Sequence, residues 1–330
     1  MKTISLKSTP VINSFSFKSA LFLLLQWIGA FVAFILSMIA ANFISPLPQF
    51  IMEKMPETGF MSGSAAMLLN GAVNATILIW AARRSSLKGF ALAGGLFVFS
   101  YLAQIFQTQI ETSYFVSAFP LLHGNFEVYR LFVRGAITSA VFVLLVTLFT
   151  GGFSHKPRAA AKFTVHTKQF VKVGAWLAAV YFILYILFGY YVAWQSQELR
   201  VFYGGPAELN SFVDQILNTL MSKPEMPFFQ YARGILWIVC LIPLFKGFTG
   251  GRVELLILSG LALALLPTTQ LAFPNPLMPA GVSLGHFWET SLSTGLFGAL
   301  CAWFVPQAVA TNQGCPALGD QGLLCPNRQI

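Results

Sequence analysis

The most constraining feature of this sequence is a series of long apolar runs that recurs from one end to the other. A helix rises about 1.5 Å per residue, so about 20 apolar residues cross a hydrocarbon layer of roughly 30 Å. Backbone groups in lipid must be satisfied within their own segment, which makes each run a helix. A transmembrane barrel needs alternating segments, and runs such as AVFVLLVTLF at 140–149 do not alternate. The sequence predicts eight spans: 19–44, 64–82, 90–113, 129–150, 173–194, 227–245, 253–272 and 286–306.

Composition supports a membrane environment. Of the 330 residues, 56% are hydrophobic and only 9% are charged, a balance typical of a chain whose solvent is largely lipid. We therefore predict an all-α, polytopic membrane bundle, located in the cytoplasmic (inner) membrane if the source is bacterial. The spans contain no phosphate-binding loop, no facing histidines for haem and no central lysine for retinal, so no cofactor is predicted.

Basic residues predict the orientation, because short loops rich in Lys and Arg stay on the cytoplasmic side. With the N-terminus inside, 14 of the 20 Lys and Arg residues fall in cytoplasmic segments, and both termini are predicted to be cytoplasmic. The net charge of +9 is spread over short loops, so no folded basic face is available for nucleic acid. The loop at 151–172 is the densest basic stretch and is a candidate surface for anionic lipid or an acidic protein partner.

Four short motifs indicate an internal repeat. Each places a polar or cationic residue before a Gly in the outer third of a span: LNGAV at 69–73, VRGAI at 133–137, ARGIL at 232–236 and STGLF at 293–297. Landmarks in the two halves are separated by similar offsets: 163 from Asn70 to Arg233, 160 from Arg134 to Thr294, 162 from Glu127 to Glu289, and 161 from Thr108 to Thr269. These offsets favour two four-helix halves of one orientation, although Gly is also common where membrane helices pack closely.

The predicted organisation has four parts: a first four-helix half at 1–150, a basic cytoplasmic linker at 151–172, a second half at 173–306 and a flexible cytoplasmic tail at 307–330. The tail carries Cys315 and Cys325, which we expect to be reduced. Within the second half, an outer insertion at 198–225 has apolar residues at helical spacing and predicts an amphipathic helix. Such a helix either rests in the headgroups as a connector, the favoured interpretation, or covers the bundle as a lid.

The strongest candidate for function is a polar layer near the outer ends of several spans. In QIFQTQIETSYF at 104–115, spacings of three and four put three polar side chains on one helical face. Charges inside a bilayer cost several kcal/mol unless they pair or line a wet cavity, so these side chains should face the bundle interior. The predicted layer consists of Asn70, Gln104, Gln107, Glu111, Arg134, Arg233 and Glu289.

This layer favours a transporter for a small anionic solute. An arginine binds an anionic group bidentately, and a neighbouring carboxylate takes up a coupling proton. The expected pairs are Glu111 with Arg134 and Glu289 with Arg233. If the charges are instead fully paired and dry, the chain is better interpreted as a membrane scaffold or assembly subunit without a reaction of its own.

An intramembrane enzyme with an outer-leaflet His/Glu site is the remaining alternative. HGNFE at 123–127 and HFWE at 286–289 each pair a His with a Glu, one pair in each half. Two His and two Glu have plausible ligand chemistry for a metal, but HExxH is absent and the spacing matches no metal motif. No serine has a GxSxG context. We therefore predict neither a catalytic residue nor a metal ligand.

Overall fold

The computed structural model describes residues 17–122, 125–154 and 167–310, and this part of the chain is all-helical. Within it, seven helical segments are long and apolar enough to cross a membrane: Phe17–Ile44, Gly63–Arg83, Gly89–Tyr114, Phe126–Phe149, Thr167–Gln195, Met226–Gly247 and Arg252–Ala272. They coincide with the first seven predicted spans to within a few residues, because an uninterrupted apolar run defines a membrane helix well. These helices indicate a membrane protein.

The described helices are α1 (Phe17–Ile44), α2 (Gln49–Met52), α3 (Gly63–Arg83), α4 (Gly89–Tyr101), α5 (Gln107–Tyr114), α6 (Asn125–Phe149), α7 (Thr167–Tyr191), α8 (Gln197–Phe202), α9 (Phe212–Ser222), α10 (Met226–Gly247), α11 (Arg252–Leu265) and α12 (Ala280–Ala310). A π-helical turn at Leu102–Phe106 joins α4 to α5, and 3₁₀ turns follow α5, α7 and α11. π-helical turns inside α-helices are frequent at functional sites, and this one begins the polar stretch that contains Gln104.

The eighth predicted span lies in α12, which has 31 residues and is long enough to cross a bilayer. It is not among the seven apolar segments. Its first half carries a cluster of polar residues: Glu289, Thr290, Ser291, Ser293 and Thr294. The helix packs along α11 and α7. The eighth crossing stays a prediction.

Helix contacts follow one pattern in the N-terminal and C-terminal parts of the bundle. In the first part, α1 packs on α3 and α6, and α6 packs on α4. In the second, α7 packs on α10 and α12, and α12 packs on α11. Between the parts, α3 packs on α11 and α4 packs on α10. The hydrophobic core fills the space where these helices meet, with Phe99, Phe142, Trp237 and Phe297 fully buried.

Gly71 and Gly234, which are 163 positions apart, both lie at close helix contacts. A Cβ on Gly234 of α10 would lie 2.9 Å from the Cα of Ala178 on α7. A Cβ on Gly71 of α3 would lie 2.7 Å from the Phe31 ring on α1. Gly234 therefore requires a residue without a side chain, because its neighbour is backbone, whereas at Gly71 the Phe31 ring would have to shift.

The α3–α4 and α10–α11 loops pair with each other at one end of the bundle. Ser85 and Phe248 form an isolated antiparallel bridge. The amide that follows each of these residues donates to the carbonyl that precedes the other, and both hydrogen bonds are 2.7 Å long. The two loops are thus related by a local two-fold arrangement.

Several predictions concern residues outside the described part of the chain. They include the central stretch of the basic loop, 155–166, His123 of the first His–Glu motif, and the tail from 311 onward with Cys315 and Cys325. The boundaries of the two proposed halves also stay predictions.

Candidate functional site

A buried ion pair joins α10 to α5. Nη1 and Nη2 of Arg233 donate to Oε1 and Oε2 of Glu111 at 2.7 and 2.9 Å. This is the bidentate geometry in which guanidinium–carboxylate hydrogen bonds are strongest. The Arg233 side chain is 4% exposed, whereas that of Glu111 is 32% exposed. The guanidinium is therefore sealed from water, and the carboxylate keeps one side open.

Two glutamines hold this pair in place. Gln230 accepts a hydrogen bond from Nη1 of Arg233 at 3.0 Å. The Gln107 amide donates to the Arg233 carbonyl at 3.1 Å, and the Gln107 carbonyl accepts from Nη2 at 3.4 Å. Glu111 therefore occupies both terminal nitrogens of the Arg233 guanidinium.

The polar layer continues across the centre of the bundle. Gln270, in the 3₁₀ turn after α11, donates to the Gln104 carbonyl at 3.0 Å and to Oγ1 of Thr108 at 3.3 Å. The neighbouring Thr269 donates to Oδ1 of Asn70 at 3.0 Å. One run of contacts thus links five of the predicted site residues where the two parts of the bundle meet: Asn70, Gln104, Gln107, Glu111 and Arg233.

Arg134 lies apart from this layer. Its Nη1 donates to Oδ1 of Asn42 at 3.0 Å and to the Ser45 carbonyl at 3.5 Å, both at the end of α1. The expected pairs of Glu111 with Arg134 and of Glu289 with Arg233 are therefore wrong. Arg134 turns toward the C-terminus of α1, where the helix dipole favours a cation, and α10 supplies the partner of Glu111 instead.

Glu289 on α12 has hydroxyl and imidazole neighbours. Thr290 donates to its Oε2 at 2.9 Å, and Ser293 donates to its Oε1 at 3.5 Å. Nδ1 of His286 lies 3.7 Å from the same Oε2, and Nε2 of His286 forms a 2.9 Å hydrogen bond with the Tyr203 hydroxyl. Glu289 is 7% exposed, and no Lys or Arg of the described residues forms an ion pair with it.

Only part of the predicted His/Glu metal site lies within the described residues. His286 and Glu289 are close together, while His123 lies outside the described residues. Over the described ranges, no three or more His, Cys, Asp or Glu side chains group as ligands for a metal ion. His286 thus has a hydrogen bond to Tyr203 and a carboxylate neighbour in Glu289.

A cavity of about 620 Å³ lies beside Glu111 and Glu289. Its walls come from α5, α7 and α12, and α9 covers it together with the Gly204–Pro206 loop. Aromatic side chains make up much of its lining: Phe115, Phe182, Tyr185, Tyr190, Trp194 and Tyr203. This volume lies in the range of cavities that hold small organic molecules.

A second cavity of about 290 Å³ adjoins the first and shares four lining residues with it: Glu111, Phe115, Tyr203 and His286. It extends toward Arg233 and Gln270, so it reaches the polar layer between the two parts of the bundle. Four buried polar atoms on residues of its lining make no hydrogen bond with any described residue: Oε1 of Gln109, Oε2 of Glu127, Nε of Arg233 and Nε1 of Trp237. The smaller cavity therefore has buried polar groups on its lining that no described residue satisfies.

The amphipathic helix expected in the insertion is α9, and it covers the large cavity. Gln215, Ile216 and Thr219 face the cavity, while Val213 and Leu217 form an apolar ridge on its exposed side. This ridge suits contact with lipid at the membrane surface. One face of the helix therefore lines the cavity, and whether it serves as a lid or as a connector stays a prediction.

Sequence reasoning missed two residues that complete the lining. Lys223 follows α9, and its Nζ lies 4.3 Å from the centroid of the Phe115 ring. Burial lowers the pKa of this ammonium. Tyr203 contacts His286, and burial together with the charge of Glu111 raises the pKa of its hydroxyl. Both residues lie in the insertion, where the sequence shows punctuation and an apolar period but no sign of which residues reach the core.

Comparisons with protein families, with curated proteins and with solved structures found no match for this chain. The functional interpretation therefore depends on the geometry of the cavities and the polar layer.

Proposed function

We propose that this membrane protein binds a small solute in the 620 Å³ cavity and carries it across the bilayer. The observation that carries the proposal is the cavity itself, which α9 covers and which reaches the carboxylates of Glu111 and Glu289. Burying a carboxylate is costly in a bundle that only has to pack. Binding of a solute in a covered cavity of ligand size would explain why two carboxylates are placed there despite this cost.

The proposal includes two four-helix halves with eight spans, both termini on the basic side and, for a bacterial source, the cytoplasmic membrane. The repeated contact pattern of the two parts supports the halves. Ser85 and Phe248, which pair across a local two-fold, are separated by 163 positions, the same offset as Asn70 and Arg233. Many transporters are built from repeats and work by rocking one repeat against the other around a central site.

The proposed solute is small, as the sequence predicts, but we do not propose that it is an anion. The expectation of an anion depended on Arg134 and Arg233 as free guanidinium groups. Arg233 is sealed by Glu111, and Arg134 lines neither cavity. The large cavity presents carboxylate, hydroxyl and aromatic groups, with the His286 imidazole and the Lys223 ammonium beside them.

Water access to the cavity is the first test. In a variant whose four cysteines are replaced by serine, we would introduce Ile186→Cys, which lines the cavity, or Ile183→Cys, which is 54% exposed on the outer surface of the same helix. Membranes are then treated with a water-soluble methanethiosulfonate. We expect Ile186→Cys to react and Ile183→Cys to stay unmodified, because a thiolate forms in water and not in hydrocarbon. Equal and negligible reaction at both positions would overturn the proposal.

Transport is the second test, and the chain offers a matched pair of variants on α7. A Cβ at Gly189, which lines the cavity, or at Gly174, which does not, would meet no atom within 4 Å. Gly189→Leu therefore fills the cavity, and Gly174→Leu controls for the substitution. Proteoliposomes are exposed to a mixture of small metabolites, and their contents are measured by mass spectrometry. We expect at least one solute to accumulate with the wild type and Gly174→Leu but not with Gly189→Leu.

A membrane scaffold is the second candidate, and the sealed pair of Arg233 with Glu111 favours it. A scaffold would work through its surface, with the basic 151–172 loop as a possible contact for a protein partner. It predicts that Gly189→Leu behaves as the wild type does and that no solute accumulates in proteoliposomes. That result would reject transport.

A further inference from the structure

The charges on the lining of the large cavity are unequal in number and in pairing. Glu111 and Glu289 contribute carboxylates to this lining. Among its described residues, Lys223 contributes an ammonium group and His286 an imidazole. The charge of Glu111 is matched by Arg233 behind it. Glu289 has hydroxyl donors and His286 as neighbours and no ion pair with a described Lys or Arg. An anion in the cavity would therefore meet an unmatched carboxylate.

Aromatic rings connect the two carboxylates along one wall. Phe115 lies one turn after Glu111, and its ring is 5.5 Å from that of Tyr203 in an edge-to-face contact. The Tyr203 ring is 5.6 Å from the His286 ring, one turn before Glu289. The faces of Phe, Tyr and Trp rings attract ammonium groups, with Trp the strongest. A wall of aromatic rings with a carboxylate at each end is the chemistry that recognises organic cations.

An ammonium of the protein itself already occupies this wall. Nζ of Lys223 lies 4.3 Å from the centroid of Phe115 and 5.5 Å from that of Tyr114. The described residues form no ion pair with it. Lys223 follows α9, so the group that holds the cation site is tied to the element that covers the cavity.

We infer that the large cavity binds an organic cation, an alkylammonium group on an apolar body, whose ammonium displaces the Lys223 ammonium from this aromatic wall and is balanced by Glu289. This inference rests on the proposed solute-binding function. Apolar side chains on α7 and α9, including Ile186 and Ile216, accommodate the body of the solute. The exposed apolar ridge of α9 lies beside the cavity and suits contact with lipid. Two sources share this chemistry: a free organic cation and the ammonium headgroup of a choline or ethanolamine lipid.

The test uses the full chain in dodecyl maltoside, which has neither charge nor ammonium. Binding is measured by calorimetry for three probes of similar size: benzyltrimethylammonium, benzyl alcohol and benzenesulfonate. We expect the cation to bind most tightly and the sulfonate to bind least. Glu289→Gln should weaken cation binding at least tenfold, whereas Lys223→Ala should strengthen it because the competing ammonium is gone. Glu53→Gln, an exposed glutamate that lines neither cavity, is the charge control and should leave affinity unchanged.

Glu289→Gln and Lys223→Ala are expected to change cation affinity in opposite directions. A folding defect cannot produce both results, because a misfolded protein does not gain affinity. Equal or tighter binding of benzenesulfonate, or unchanged cation affinity in both variants, would overturn the inference. If the sulfonate binds and Gly189→Leu abolishes that binding, the cavity is a solute site and only the cation assignment fails. If no probe binds, the cation inference fails, and the reactivity of Ile186→Cys then decides whether the proposed function fails as well.

Competition with lipid distinguishes the two sources of the cation. Short-chain phosphatidylcholine, phosphatidylethanolamine and phosphatidylglycerol are added to the micelles before the titration. Displacement by the first two and not by phosphatidylglycerol would assign the site to a lipid headgroup. A titration that none of them affects would assign it to a free organic cation. Both results support an ammonium site, and displacement by phosphatidylglycerol alone contradicts it.

Discussion

Arg233 on α10 and Glu111 on α5 form a bidentate ion pair that water reaches from one side only. The Arg233 side chain is 4% exposed and that of Glu111 is 32% exposed. Removing the carboxylate leaves a guanidinium buried without a counter-charge. Removing the guanidinium leaves a carboxylate that can still be hydrated. The two partners therefore contribute unequally to stability, even though they share the same hydrogen bonds.

We expect Glu111→Gln to destabilise the protein more than Arg233→Gln does. Breaking a buried pair by removing one partner costs about 3–5 kcal/mol when the other stays buried, and we expect a loss of that order for Glu111→Gln. For Arg233→Gln we expect about 1–3 kcal/mol, the cost of lost hydrogen bonds to a charged group that stays partly hydrated. The measurement is the free energy of unfolding of the purified protein in mixed micelles.

The control for this prediction is Arg84→Gln. Arg84 pairs with Glu254 at 2.6 Å, but its side chain is 47% exposed, and surface pairs contribute about 0–1 kcal/mol. Equal losses for Glu111→Gln and Arg233→Gln would show that the pair is uniformly hydrated.

The sequence predicted which residues share a helical face, but not which helices face each other. Spacings of three and four correctly brought Gln107 and Glu111 into one layer with Arg233. The partner of Glu111 could not be predicted, because Arg134 and Arg233 follow the same pattern in their own helices and only tertiary packing distinguishes them. α6 turns Arg134 toward the end of α1, and α10 turns Arg233 toward α5.

The same limit applies to the cavity. Seven spans follow from apolar runs, since each run must satisfy its own backbone in lipid. The position of the insertion cannot be predicted from apolar runs. An amphipathic period shows that a helix has two faces, but it does not show what each face packs against. Tyr203 and Lys223 became candidates only when the structure placed them on the lining with Glu289.

We expect Gly234→Ala to destabilise the bundle and Gly174→Ala to leave it unchanged or slightly more stable. A Cβ at Gly234 would lie 2.9 Å from the backbone of α7, so the helices must separate. Overpacking of this kind costs about 1–3 kcal/mol. A Cβ at Gly174 meets no atom within 4 Å, and alanine favours a helix over glycine. The comparison is made by thermal unfolding in detergent, and equal melting temperatures of the two variants would show that α7 and α10 do not pack as closely as described.

We expect a double variant, Ser85→Cys with Phe248→Cys, to form a disulfide. These residues face each other in an antiparallel bridge without mutual hydrogen bonds, the arrangement in which Cα atoms are closest, at about 4.5 Å. That separation is within the range that a disulfide spans. A protease site inserted between residues 157 and 158 then allows the two fragments to be separated. After oxidation and cleavage they should stay joined on a non-reducing gel and separate on reduction.

The matched control for the cross-link is Ser86→Cys with Phe248→Cys. Successive side chains in extended backbone point to opposite sides, so this pair should oxidise poorly. Efficient cross-linking of both pairs would show that the two loops slide past each other, and the local two-fold arrangement would then not be fixed.

We expect α12 to cross the membrane and to carry the tail to the side opposite α9. The helix begins beside α8, where Val282 packs with Leu199. Its 31 residues extend about 46 Å. Near its other end, the Arg252 guanidinium lies 3.6 Å from the centroid of the Trp303 ring. Arg252 opens α11 after the paired loops, so α12 runs from the α9 end to the end that holds those loops.

Cysteine labelling in intact cells tests this crossing and the predicted orientation together. In one variant Cys240, Cys301 and Cys325 are replaced by serine, which leaves Cys315 in the tail as the single cysteine. In a second variant all four cysteines are replaced, and Glu208→Cys is introduced in the exposed segment before α9. With an impermeant maleimide, we expect Glu208→Cys to be labelled directly and Cys315 only after permeabilisation, because the basic loops hold their end inside. The reverse result would invert the bundle. Labelling of both cysteines from outside would mean that α12 does not cross the membrane. Its polar first half would then lie in water and not along the cavity.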